Sequence, residues 1–184
     1  MSEQTVAKGK IFELVQTTQP DGRVFEVARR APGVRVIIAD HDKRQVLLTR
    51  EYRHELQTED YRLPGGKVFD TLDEYETFRE SGEDIVAAAS RKAIAESAEE
   101  AGIEVREAKL YKKSTLGATV EWDLYVFEAV SWRVHDNGQQ LEAGEDIAAD
   151  TWVSYDEVRQ MILRGDMSEE RIALILLQWL EQAS

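Results

Sequence analysis

This chain of 184 residues has no cysteine, only three prolines and three histidines, and no apolar run near the ~20 residues of a membrane span. Without thiols it can form no disulfide, no thiolate metal site and no cysteine nucleophile. His41, His54 and His135 fall in polar loops or at strand ends, with no sequence neighbour suited to activating a serine, so they read as surface residues. Positive charge is also scarce. Twenty-three Lys and Arg against 36 Asp and Glu leave a net charge of −13. That balance excludes a protein that grips a nucleic-acid backbone with a basic surface. It does not exclude nucleotides, because a divalent cation bridges two negative partners. The N-terminal MSEQTVAKGK lacks the apolar core of a secretory signal. The expectation is a cytoplasmic protein without membrane or nucleic-acid partners.

A hydrophobic content of 42% and a charged content of 32% fit one globular domain. IFELVQTT (11–18) and RVFEVARR (23–30) flank the turn QPDG and predict a hairpin. GVRVIIADHD (33–42) and RQVLLTREYR (44–53) flank a second polar turn. YRLPGGKV (61–68) reads as a short strand stopped by Pro64 and two glycines. Residues 70–84 are strongly acidic and predict a solvated loop or a short exposed helix. Ser81 with Asp84 offers a capping box for an alanine-rich helix that ends before Gly102. That helix would have roughly 18–20 residues and a length of ~27–30 Å. Strands follow at 104–115, 120–132 and 151–153, then amphipathic helices at 155–166 and 168–182. This order predicts a mixed α/β (α+β) sandwich with helices covering a sheet.

The stretch AESAEEAGI, 95–103, places Glu96, Glu99 and Glu100 on one helical face, since i, i+3 and i+4 are neighbours. Such repulsion costs roughly 0.2–0.5 kcal/mol per pair. Anions near a helix C-terminus are disfavoured by a further ~0.3–1 kcal/mol each. A hard divalent cation would turn the repulsion into binding. Lys92, at i−4 from Glu96, could partly neutralise it, and the face taken alone would read as solvated surface. The preceding LPGGK changes that reading, because paired glycines let backbone groups approach a ligand or metal closely.

At these residues the sequence resembles the Nudix hydrolase family, whose signature is G-x5-E-x7-R-E-U-x-E-E-x-G-U, with U aliphatic. Gly66 corresponds to the opening glycine, and Glu96, Glu99, Glu100, Gly102 and Ile103 to the closing part. Ala95 stands where the family has Arg, and Ser97 where it prefers an aliphatic residue. Glu83 and Arg91 keep an E-x7-R separation as a structural pair, four residues early, which would lengthen the helix by about one turn. Glu83 follows Gly66 by 17 positions where the family has six, so the acidic segment is an insertion.

The resemblance implies an α/β/α sandwich and cleavage of a nucleoside diphosphate linked to another group, with Mg²⁺ or Mn²⁺. It implies Glu96, Glu99 and Glu100 as metal ligands, with the Gly65 carbonyl completing the shell. The stretch 142–180 is similar to ADP-ribose pyrophosphatases and related nucleotide-sugar hydrolases. In that branch a loop glutamate before the last strand is the base or an extra ligand, which here implies Glu145 or its neighbour Glu142. The same branch implies a homodimer built by an N-terminal strand extension, residues 1–32, on a hydrolase domain spanning 33–184. Arg53 would face the substrate and Glu26 its nucleoside end, although surface salt bridges are an equal reading for both. Trp122 could stack on a base, though an aromatic in a strand more often packs in a core. The alternative to an enzyme is a non-hydrolytic nucleotide-sensing module on the same fold, suggested by Ala95 and the lengthened helix.

Overall fold

The computed structural model describes residues 2–54, 56–141 and 147–183, with the backbone alone at 149–150. In chain order the elements are β1 (Ser2–Lys8), β2 (Phe12–Thr18), β3 (Val24–Arg30), β4 (Gly33–Ile37), β5 (Ala39–Asp40), β6 (Gln45–Arg53), β7 (Thr58–Arg62), α1 (Leu72–Ser81), α2 (Ile85–Ala101), β8 (Ile103–Ser114), β9 (Val120–Glu121), β10 (Leu124–Val134), β11 (Ile147–Ser154), α3 (Tyr155–Arg164) and α4 (Glu170–Gln182). Among the described residues no helix is long and apolar enough to cross a membrane.

The mixed α+β sandwich is present, and strand alternation shows how it is built. In β4 and just beyond it, Val34, Val36 and Ile38 pack with Ala89 and Ala93 of α2, whereas Ile37 packs with α3 and α4. In β10, Tyr125 and Phe127 point to the α2 side, and Leu124 and Val126 to the α3/α4 side. Period-2 alternation in strands buried on both faces thus makes two cores, one on each side of the sheet layer. The alanines of α2 bring its axis close to the strands.

Among the described residues three sheets form: β1-β2-β3-β9, β4-β10-β8, and β11-β6-β5 with β7 also on β6. The hairpin across QPDG is present, with β2 and β3 antiparallel and Gly22 at φ 86° in its turn. The second expected hairpin is realised only in part. β5 pairs with β6, but β4 leaves that ladder and runs parallel to β10. A continuous apolar run cannot tell which partner a doubly buried strand will take. β1 falls in the N-terminal extension expected to be strands, but its seven exposed residues show no alternation that would mark it as a separate strand. It is held by its ladder to β2 and by Glu3, whose carboxylate lies 2.8 Å from Arg29.

The acidic insertion contains α1, and α2 begins after it. The capping box does not form, because Ser81 is the last residue of α1. Asp84 caps α2 instead, its side chain accepting from the Val86 amide at 2.9 Å. Gly102 ends α2 at φ 61°, as its position in the sequence suggests.

Candidate metal and substrate cleft

The LPGG loop is pinned to the edge of β4. Val36 N–H donates to the Pro64 carbonyl and Val34 N–H to the Gly66 carbonyl, each at 2.9 Å. Both glycines are needed by close approach. A Cβ on Gly66 would overlap the Glu96 carboxylate, and one on Gly65, at φ 141°, would overlap the backbone of Val34. The loop is therefore held face to face with the C-terminal half of α2. There Gly65 N–H donates to Glu100 Oε2 at 2.7 Å.

The same C-terminal end of α2 is also held by the loop that follows β10. Gln140 N–H donates to the Glu99 carbonyl at 2.9 Å, and Gln139 Nε2 donates to the Glu100 carbonyl at 2.6 Å and the Ile147 carbonyl at 2.9 Å. Carbonyls that a helix terminus leaves free are satisfied here by a neighbouring loop, which fixes the orientation of the acidic turn.

A cleft of about 380 Å³ opens between these parts. Its acidic wall is Glu96, Glu99 and Glu100, brought together as their spacing predicts. Arg30, Arg35, Arg53 and Arg62 also line it, with Glu51 and Glu169 beside Arg53 and Arg35. Lys92 Nζ lies 2.9 Å from Glu96 Oε1 and 3.8 Å from Glu99 Oε2. Glu96 is only 8% exposed, and burial pushes its carboxyl above the ordinary carboxylate value, with Lys92 opposing. Burial would lower the Lys92 ammonium. Its hydrogen bond to Glu96 and the charges of Glu96 and Glu99 outweigh that, so it is held above the ordinary lysine value.

Among the described residues no three His, Cys, Asp or Glu side chains stand ready-made around one point. The donor set still fits a hard divalent ion. It consists of carboxylate oxygens on one helical face, and the Lys92 ammonium already stands in for a cation between two of them. The Gly65 carbonyl is engaged by the Arg35 guanidinium. A carbonyl has a second lone pair, but a guanidinium beside it weakens its pull on a cation.

Of the remaining sequence candidates, Arg53 lines the cleft, paired with Glu51 at 2.6 Å. Glu26 does not line it. It lies exposed on β3 and accepts from Gln16 at 3.1 Å. Glu83 and Arg91 stand 3.4 Å apart and largely exposed, a geometry worth little in stability. Glu142 and Glu145 lie outside the described residues, although Ile147, which follows them, lines the cleft. His41 is not without a partner, since its Nδ1 lies 3.1 Å from the Tyr155 hydroxyl.

Sequence reasoning missed Arg30, Arg35, Arg62, Glu169 and Arg171. Arg35 left a signal, as a charge inside the run VRVII whose neighbours are all buried. It is nine-tenths buried, donates to the Val34 and Gly65 carbonyls, and has Glu169 at 3.9 Å. Burial pushes its guanidinium below the ordinary value, and Glu169 opposes that most strongly. Arg171 and Glu169 left no signal, since α4 reads as an amphipathic helix. Trp122 carries two guanidinium groups on its ring, with Arg30 and Arg171 each centred 4.3 Å from its centroid. It is thus engaged by cations rather than open to a base.

No curated protein matches the sequence. The crystal structure titled "Crystal structure of ADP compounds hydrolase" shares the fold, with a TM-score of 0.65 at 16% identity, over 99% of this chain and 93% of the other. A family model for the NUDIX domain matches residues 29–175, which cover most of the chain, the LPGG loop and the acidic turn of α2. The chain belongs to the Nudix hydrolase family.

Proposed function

We propose that this protein is a metal-dependent diphosphatase acting on a nucleoside diphosphate linked to a sugar, of the ADP-ribose or nucleotide-sugar type. Water adds across the P–O–P bridge, giving a nucleoside monophosphate and a sugar phosphate. The observation that carries this reading is the two-signed cleft, lined by Glu96, Glu99 and Glu100, by Arg30, Arg35, Arg53 and Arg62, and by the Gly65–Gly66 turn. A diphosphate needs both signs, since carboxylates take its metal and arginines its remaining negative oxygens.

Glu96, Glu99 and Glu100 would hold Mg²⁺ or Mn²⁺, together with the Gly65 carbonyl. When bound, the ion supplies charge neutralisation at the diphosphate and a more acidic water. Gly66 leaves room for the Glu96 carboxylate, and Gly65 N–H fixes Glu100. Arg35 and Arg53 orient phosphate oxygens through their planar forks. Glu145, or its neighbour Glu142, takes the proton from water. Support for that role is that both precede cleft-lining Ile147 by a few residues in the sequence. The likeness to a structure titled as an ADP compounds hydrolase agrees with a nucleotide substrate. Residues 1–32 form a homodimer extension on the domain 33–184, and through it Glu26 of one copy reaches the nucleoside end of the partner's site. The setting is cytoplasmic.

The test is a phosphatase-coupled phosphate-release screen over ADP-ribose, GDP-mannose, UDP-glucose, NADH and diadenosine polyphosphates, each with Mg²⁺ and Mn²⁺. Metal-dependent turnover of a member supports the reading. The position of Lys92, 2.9 Å from Glu96, favours one second reading, a non-hydrolytic nucleotide sensor whose acidic face needs no metal. Turnover of no member, with nucleotide binding intact, would select it.

A further inference from the structure

Among the described residues, the buried side-chain nitrogens with no hydrogen-bond partner are Arg35 Nε, Arg53 Nε, Trp122 Nε1 and Arg171 Nε. All are donors. Arg35, Arg53 and Trp122 line the cleft, and Arg171 packs on Trp122. Buried donors without acceptors are costly, and a protein of net charge −13 gathers them at one place.

Around Trp122 the cations outnumber the carboxylates paired with them. Arg53 has Glu51, and Arg62 has buried Asp60. Glu169 is shared between Arg171, at 3.3 Å, and Arg35, at 3.9 Å. Arg30 makes no ion pair among the described residues. It rests on Phe12 at 5.1 Å and on Trp122, and burial pushes its guanidinium below the ordinary value. Arg171 and Arg35 thus share Glu169, although Arg35 also feels Glu100 and Glu96, and Arg30 has no carboxylate paired to it among the described residues. Arg171 is itself fixed, donating to the Trp122 carbonyl at 2.9 Å.

This excess is centred on Trp122. Arg35 donates to the carbonyl of Gly65, whose N–H donates to Glu100, whereas Arg30 rests on Phe12 and Trp122 beside Arg171. Arg35 therefore stands at the diphosphate position and Arg30 one step farther along the cleft. We propose that Arg30, held on Trp122 beside Arg171, is an anion subsite for a phosphate group of the substrate beyond the scissile diphosphate. The substrate class is a nucleoside diphosphate derivative bearing a third phosphate, either as a phosphate ester or as an added phosphoanhydride unit. This rests on the hydrolase reading for the position of the diphosphate. The charge excess itself is independent of that reading.

Two measurements test it. The first uses metal-stripped protein and inorganic tripolyphosphate, with chloride at equal ionic strength as the control. Tripolyphosphate raises the melting temperature of wild type, and Arg30→Gln loses about half of that rise or more. The second compares kcat/KM within matched pairs, NADPH against NADH and diadenosine triphosphate against diadenosine diphosphate. The member with the additional phosphate is preferred about tenfold or more in one pair, and Arg30→Gln reduces that to about threefold or less. Arg30→Lys, which keeps the charge and loses the fork, falls between. Ratios within about twofold in both pairs, or a preference that survives Arg30→Gln, overturn the subsite and leave the hydrolase standing. An Arg30-dependent tripolyphosphate shift with no turnover of any compound supports the subsite and sinks the hydrolase reading.

Discussion

Gly66 is glycine because the Glu96 carboxylate occupies the space a side chain would need. The obstacle is the end of a side chain, but one that is itself buried and paired, so it has little room to give. Gly66→Ala is expected to destabilise by about 1–3 kcal/mol in urea denaturation and to lower kcat/KM by about 100-fold. Loss of stability with full activity would show that Glu96 tolerates displacement. Lys92 gives a second prediction. Lys92→Gln leaves Glu96 buried without its 2.9 Å partner, so the metal-free protein melts lower than wild type. Mg²⁺ is expected to raise the melting temperature of the variant more than that of wild type, because no ammonium competes for Glu96. Equal Mg²⁺ shifts would mean that Lys92 does not share the cation's place. At this scale the acidic turn was legible because helical spacing is local information. Arg35 was not, since its worth depends on a loop 30 residues away and a helix start farther still.

α2 is an element whose two ends were unequally readable. Gly102 announces the C-terminus through its left-handed backbone, a property of that residue type. At the N-terminus the two residues of the expected capping box, three positions apart, went to different helices. Ser81 went to the last turn of α1, where its hydroxyl donates to the Phe78 carbonyl, and Asp84 took the cap. Asp84→Ala is expected to cost about 1 kcal/mol. The hold at the C-terminus matters more to function. Gln139 donates to the Glu100 carbonyl and to the Ile147 carbonyl, joining the acidic turn to the strand that follows Glu142 and Glu145. Gln139→Ala should therefore cost about 1–2 kcal/mol and, if the proposed roles hold, lower kcat more than it raises KM, because it loosens the proposed metal ligands and base together. Steady-state kinetics beside a urea titration checks this. A stability loss with kcat unchanged would make Gln139 a strut and nothing more. The pairing of β4 with β10 belongs to the same scale. Which strand a doubly buried segment joins is decided by the rest of the sheet, so no local pattern could announce it.

At the scale of the whole molecule, the sheet β1-β2-β3 exposes Val6, Phe12, Val24 and Phe25, each about half exposed. β1, an edge strand of polar sequence, stays attached through charge. Arg29 meets Glu3, Glu13 and Glu121 at 2.8, 3.2 and 2.9 Å. If this sheet carries the homodimer contact, Val24→Asp with Phe25→Asp yields a monomer by light scattering, and an unchanged mass removes the sheet from the interface. The attachment of β1 also has a pH signature. The hydrogen bond from Arg29 holds the Glu3 carboxyl below its ordinary value of 4.5. A carboxyl whose pKa falls on folding stabilises the fold fully above its unfolded value, and that contribution is lost as the pH drops through the lower folded value. Protection of the β1 amides against hydrogen exchange, corrected for intrinsic rate, should thus fall below pH 4.5 while that of β10 persists. Glu3→Gln lacks this titration, so its β1 should be less protected at neutral pH and should change less on acidification. If wild type and Glu3→Gln lose β1 protection over the same pH range and by the same amount, then Glu3 is not what holds the strand, and the buried Glu13–Arg29 pair is left as its anchor.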